Sequence, residues 1–395
     1  MFEKFQNKGI NDIHLYISHF FDHFIMLIFA KTAYDAGIYF KTSYEDIIGY
    51  GVLGFVLFGA VSPLSARLAD CYSRSLLMVI FHFGIGFSAL IASFSQSVWQ
   101  LMIALGFLGA FASIYHPVGI ALLLKNPNKV GLRLGINGVF GNMGVAAAPL
   151  VAGALLVFGD WRTGFWVSGL LCLIYGVIFA RSLVETELTE YLDVHNKSKL
   201  GFLEGWQRAL FALAMCAAAG GFIFGAMTFL VPRYFEIYMS DLSTSVLLTG
   251  LLASVVYAIA SFSQVAIGWL IDRVSPKSVL IVMSIGQMIF IYVSSLLTGL
   301  SLFIAMILAM CFVFGQVPIT DAILARYVPD MWRSRILSIK FLINLSVGAA
   351  VLPFCGLFLK LGFDMTDLFA LTSTAAIFLG LAAFILPKQT NINRA

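Results

Sequence analysis

LGFLGAFASIYHPVGIALLL (105–124), KNPNKVGLRLG (125–135) and INGVFGNMGVAAAPLVAGALL (136–156) follow one another without interruption. The outer two segments are apolar on every face and roughly twenty residues long, the length a helix needs to cross bilayer hydrocarbon. The loop between them carries Lys125, Lys129 and Arg133. His116-Pro117 sits inside the first apolar run, and the second presents Gly138, Gly141, Gly144 and Gly153 at helical spacing, with Pro149 among them. The stretch reads as two membrane-spanning helices joined by a short basic turn.

The whole chain extends that reading. Of 395 residues, 60% are hydrophobic and 11% charged, against ~25% charged in soluble domains. Twelve spans are predicted, over 13–34, 46–68, 75–94, 98–124, 131–158, 163–183, 206–232, 244–271, 278–297, 300–325, 336–361 and 368–386. Basic loop residues such as Lys8, Arg67, Arg74, Lys125, Lys199 and Arg335 fall on one side, and only Lys41, Arg162, Arg233 and Lys360 on the other. That asymmetry places both termini and the middle segment in the cytoplasm. It also accounts for the net charge of +4 without nucleic acid as a partner. The five cysteines are irregularly spaced and form no CxxC pair, so they read as small apolar residues. The polar lead MFEKFQNKGIND does not read as part of a cleavable signal.

The chain repeats itself at an offset of 201 or 202 residues: Arg133 and Asn142 recur as Arg335 and Asn344, Pro117 and Lys125 as Pro318 and Arg326, and Asp70 as Asp272. The expected organisation is all-α: a six-helix bundle over 1–183, a cytoplasmic linker over 184–204 and a second six-helix bundle over 205–395. The repeat includes two loops, ARLADCYSR (66–74) and GWLIDRVSPK (268–277). Each sets a small residue four positions before an aspartate and follows it with basic residues, a pattern suited to close helix contact and a charge latch. Arg67, Asp70 and Arg74 form the first set; Gly268, Asp272, Arg273 and Lys277 form the second.

These loops resemble the signature GxxxDRxGRR of the major facilitator superfamily. The second copy follows the form well. The first departs from it, with Ala66 for glycine, Cys71 for the first arginine and Ser75 where a basic residue is usual. The fifth span resembles the family's antiporter-type helix, GxxxGPxxGG, with Ala148 before Pro149. Small residues there let helices approach and slide, and Pro149 permits a bend. More narrowly, YHPVG (115–119) followed by RLGINGVFGNMG (133–144) resembles the fosmidomycin-resistance-like branch. The resemblance implies two pseudo-symmetric bundles rocking about a midplane site, with spans one, four, seven and ten lining the cavity.

Ionisable residues inside spans are costly and are therefore functional candidates. His19, Asp22 and His23 lie on one face of the first span. The family mapping adds Tyr115 and His116 from span four, and Gln316 and Asp321 from span ten. Asp22 with His19 or His23 is either the site of a coupling proton or a structural hydrogen-bond cluster. His116 either faces the cavity or satisfies backbone groups freed by Pro117. Asp321 and Lys340 either form an inner ion pair or snorkel separately. Asn137, Asn142, Asn344 and Gln287 serve either substrate contact or bonds between helices.

The expected function is secondary transport of a small polar or anionic organic solute across a bacterial inner membrane. The proton gradient is the energy source, efflux by antiport is the first expectation, and uptake of a carboxylate or metal chelate is the alternative. The chain has no GxxxxGK[ST] loop and no Ser/His/Asp or HExxH arrangement, so an enzyme is not expected. A non-transporting sensor stays open, though the middle segment is too short for an output domain. No cofactor is expected, and the partners are a small solute and the lipid around a monomer. No metal site is expected either, because His19, Asp22 and His23 lack a fourth ligand.

Overall fold

The structure is a computed structural model that describes residues 11–183, 201–239 and 246–387. The expected linker lies largely outside the described residues. In the first half the elements are α1 (Asp12–Phe40), α2 (Tyr44–Ala60), α3 (Ser62–Cys71), α4 (Arg74–Ser93), α5 (Val98–Ala112), a π-helical turn (Tyr115–Gly119), α6 (Ile120–Leu123), α7 (Val130–Phe158) and α8 (Trp161–Leu183). The second half has α9 (Trp206–Tyr238), α10 (Val246–Ile271), α11 (Pro276–Ser295), α12 (Gly299–Gly315), α13 (Val317–Tyr327), α14 (Asp330–Lys360) and α15 (Met365–Ile385). Eleven helices among the described residues are long and apolar enough to cross a membrane, and a twelfth span results if α2 and α3, bent by 41° at their junction, are counted as one.

Several helices start where serine or aspartate can accept a bond from an otherwise unpartnered N–H. Ser43, Ser73, Ser97 and Ser275 cap α2, α4, α5 and α11, accepting from Asp46, Leu76, Gln100 and Ser278. Asp364 caps α15 in a reciprocal box with Asp367. Three boundaries differ from expectation. α1 continues past Tyr34 to Phe40 and stops where Lys41 turns left-handed, at φ 56°. α9 runs through Pro232 to Tyr238, because an apolar helix tolerates the loss of one N–H. α14 begins at Asp330, directly after Pro329, so Arg333 and Arg335 lie on the helix rather than in a loop.

The chain folds into two compact units. The first comprises Met1–Asn126, Phe140–Gly201 and Asp330–Ile339; the second comprises Pro127–Val139, Phe202–Pro329 and Lys340–Ala395. In the first unit α4 packs on α8 and α2 on α5; in the second α11 packs on α15 and α10 on α12. These pairings are the same pattern one repeat apart. Phe94, Leu150, Val157 and Phe158 stay more than 70% exposed, which suits a surface solvated by lipid tails rather than water.

Helix α7 is divided between the units at Val139, and glycines set both of its contacts. In the second unit, a Cβ on Gly131 would stand 2.2 Å from the Gly268 carbonyl oxygen and one on Gly268 would stand 2.2 Å from that of Gly131, so two backbones touch where no side chain fits. Gly138 lies against the Gln264 side chain. In the first unit Gly144 faces the Phe20 carbonyl, 2.2 Å from a would-be Cβ, and Gly141 faces the His19 ring at 2.6 Å. Gly153 meets only Lys31, at an ordinary 3.4 Å. Pro149 sits inside a continuous helix.

Candidate functional site

In the first unit the helical period of α1 brings His19, Asp22 and His23 onto one side of the helix, and the π-helical turn presents His116 to them. A π-turn holds one residue more than an α-turn and re-aims side chains, and such turns recur at functional sites. Here it spans YHPVG, with Pro117 at its centre. The His116 Nε2 lies 3.4 Å from Asp22 Oδ2, and the Asp22 side chain is completely buried. Among the described residues neither carboxyl oxygen of Asp22 has a hydrogen-bond partner. His19 and His23 meet through their Nε2 atoms at 3.2 Å. Tyr115 is fully enclosed, stacks on His19 with ring centroids 4.7 Å apart, and donates its hydroxyl to the Leu15 carbonyl at 3.0 Å. Its place is the wall that holds His19.

The second unit holds a different arrangement. Lys340, on α14, donates to Asp321 on α13 in a direct ion pair and reaches the Thr320 hydroxyl at 3.1 Å. The pair is mostly enclosed, with side-chain exposures of 17% and 7%. Of the two expectations for these residues, the structure has the ion pair. Beside it, Gln287 donates to Gln316 at 3.0 Å and to the Phe312 carbonyl at 3.2 Å. Asn344 donates to the Ala217 carbonyl at 3.3 Å. Gln287, Gln316 and Asn344 thus take part in bonds between helices.

The two loop motifs form different latches. Asp272 accepts from the backbone N–H groups of Gly131 at 2.7 Å and Leu132 at 2.9 Å, on the first turn of α7. A carboxylate there meets both the unpaired donors and the positive end of the helix dipole. Arg273 turns back over the Trp269 ring at 3.9 Å, and Lys277 reaches the carbonyls of Phe384 and Leu386 at the end of α15. In the first unit Asp70 pairs with Arg335, and Arg74 grips Asp330 through its carboxylate at 2.8 Å and its carbonyl at 2.7 Å. Arg67 is exposed.

A second buried polar cluster escaped the sequence reading. Ser18 bonds the fully buried His82 at 2.9 Å, and His14 bonds the Tyr175 hydroxyl at 3.0 Å. His82 stands alone between two phenylalanines in the third span, and its partners come from α1 and α8. Only its polarity within an apolar run marked it.

Comparison with known proteins places this geometry. The model of the Major Facilitator Superfamily matches residues 15–239. The multidrug resistance protein MdtG of Rahnella sp. is 25% identical over 242 residues, which cover 58% of this chain. The match spans about half of that relative's length, 56%. Among solved structures, the transporter FucP in an outward conformation aligns over 96% of this chain and 99% of its own, with a TM-score of 0.72 at 16% identity. The human organic anion transporter MFSD10 aligns over 95% of this chain and 98% of its own, with a TM-score of 0.73 at 12% identity. Those identities speak for the fold alone. With more than half of its length matched by the family model, the chain is a multi-pass membrane protein that belongs to the Major Facilitator Superfamily.

Proposed function

We propose that this transporter moves a small polar or anionic organic solute by alternating access, driven by the proton gradient, in the efflux direction. The likeness to multidrug resistance proteins named MdtG supports efflux. In this reading the protein is a monomer of the bacterial inner membrane with both termini cytoplasmic, and residues 1–183 and 205–395 are the two bundles joined by 184–204.

The observation that carries the reading is the Lys340–Asp321 pair. Two charges enclosed among apolar helices compensate each other, and removing either partner leaves the other uncompensated. The carboxylate has two other ways to be satisfied: a proton, or a hydrogen-bond donor on a solute. A solute presenting a donor or a positive group to Asp321 takes the proton's place, so the two alternate, and that is antiport. The Thr320 hydroxyl lies beside the pair and adds no charge to it.

The same pair supports a second reading for an anionic solute. An anion on Lys340 requires Asp321 to be neutralised, so proton and anion bind together, which is symport and uptake of a carboxylate. Counterflow of labelled solutes in proteoliposomes tests transport as such, and no counterflow with any organic anion, cation or neutral drug sinks both readings in favour of a sensor. The sign of the response to an imposed pH gradient then separates them. Antiport accumulates solute in the compartment that starts acidic; symport accumulates it in the one that starts alkaline. Asp321→Asn is expected to abolish the gradient response in either case while counterflow persists.

A further inference from the structure

We propose that His19, His23 and His116 form a binding site for one late first-row divalent cation of the Zn2+ class. The ligand nitrogens of the three residues all lie within 4.8 Å of one another. A tetrahedral ion with Zn–N bonds of about 2.0–2.1 Å sets its ligands about 3.3 Å apart. The Nε2 atoms of His19 and His23 are already 3.2 Å apart. Imidazole is the ligand that suits Zn2+ and its neighbours, and three histidines leave a fourth position for water or solute.

The sequence rejected a metal because three residues of one helix lacked another partner. The fold supplies it from span four. His19 and His23 face the same way because they are one helical turn apart, and the π-turn at Tyr115–Gly119 carries His116 across to them. His19 is held from both sides: Tyr115 stacks on its ring, and Gly141 opposes it where a Cβ would intrude to 2.6 Å. Asp22 lies beside the site. Its buried oxygens lack a hydrogen-bond partner, and the nearer one stands 3.4 Å from His116 Nε2. A carboxylate beside a ligating imidazole fixes the ring's tautomer and orientation, and an anion buried in a bilayer span is compensated by a cation next to it. The inference rests on this histidine geometry and does not depend on the transport reading.

The test is titration of the full-length protein, purified in detergent and stripped with a chelator, using Co2+ as a visible probe and Zn2+ as competitor. One equivalent of Co2+ is expected to give the strong d–d absorption of a tetrahedral site and to be displaced by Zn2+. Asp22→Asn is expected to weaken binding about 10–100-fold, as loss of a carboxylate behind a ligand does. His23→Gln and His116→Gln, both at partly exposed positions, are expected to weaken it further, while His82→Gln leaves it unchanged. A wild-type protein with no saturable band overturns the proposal, as does affinity that survives both ligand variants. Counterflow in chelator-treated proteoliposomes keeps the outcomes apart: binding lost with counterflow intact sinks the metal site alone, and the converse sinks transport alone.

Discussion

Among the described residues each unit buries one carboxylate in a membrane span, and the two are satisfied in opposite ways. Asp321 has a partner, Lys340, in direct contact. Asp22 has the His116 imidazole 3.4 Å away and, among the described residues, no hydrogen bond to either oxygen. The first arrangement is complete as it stands. The second is complete only when something else arrives, a proton or a cation. An enclosed charge with its partner built in gives way only when a proton or a solute takes that partner's place, whereas one without such a partner is open to a ligand from the start.

Removing a partner is the sharpest way to break this comparison. Lys340→Met is expected to destabilise the protein by about 3–5 kcal/mol, because Asp321 is left as an unpaired buried charge. Adding Asp321→Asn to it should restore most of the loss. Asp22→Asn is expected to be neutral or stabilising in the metal-free protein. Thermal unfolding in detergent reads all three, and a Lys340→Met protein as stable as wild type removes the contrast.

The glycines give the next largest effect. Gly268→Ala forces a methyl group into the Gly131 carbonyl, which is backbone and cannot rotate away. A cost of about 1–3 kcal/mol is expected, the range for overpacking. Gly141→Ala meets an imidazole instead, so its expected effect is a smaller loss of stability and a displaced His19. Equal losses of stability for the two variants would show that both contacts are rigid.

The two latches should differ as well. Asp272→Asn gives up a carboxylate on two N–H groups at the start of α7, with an expected cost of about 1–2 kcal/mol. Asp70→Asn breaks a pair whose arginine is 46% exposed, so about 0–1 kcal/mol is expected, less in high salt. A larger loss for Asp70→Asn would reverse the ranking. The Asp364 cap is of similar size and depends on pH. The Thr366 hydroxyl and the Asp367 N–H hold its carboxyl below the ordinary value of 3.8. A depressed value means that the cap contributes at neutral pH and is lost only as pH falls below that range. Asp364→Ala is expected to cost about 1 kcal/mol at pH 7, measured as unfolding of the solubilised protein, and to cost less at pH 3.

Much of this was written in the sequence. Long apolar runs with one basic side fix where the helices are, because a bilayer demands about twenty apolar residues and internally satisfied backbone. The offset recurrence of Asp70 as Asp272 and of Pro117 as Pro318 marked the two repeats. The periodicity of His19, Asp22 and His23 put them on one face, because helical geometry is local. What partners they have was decided only in three dimensions. Nothing in YHPVG announces that Pro117 sits in a π-turn that carries His116 to Asp22, and nothing around the lone His82 names Ser18 as its partner. Gly138 and Gly141 look alike as a small-residue stripe, yet one faces Gln264 and the other His19. Spacing along the chain sets direction around a helix axis; which neighbour stands there depends on packing between segments a hundred residues apart.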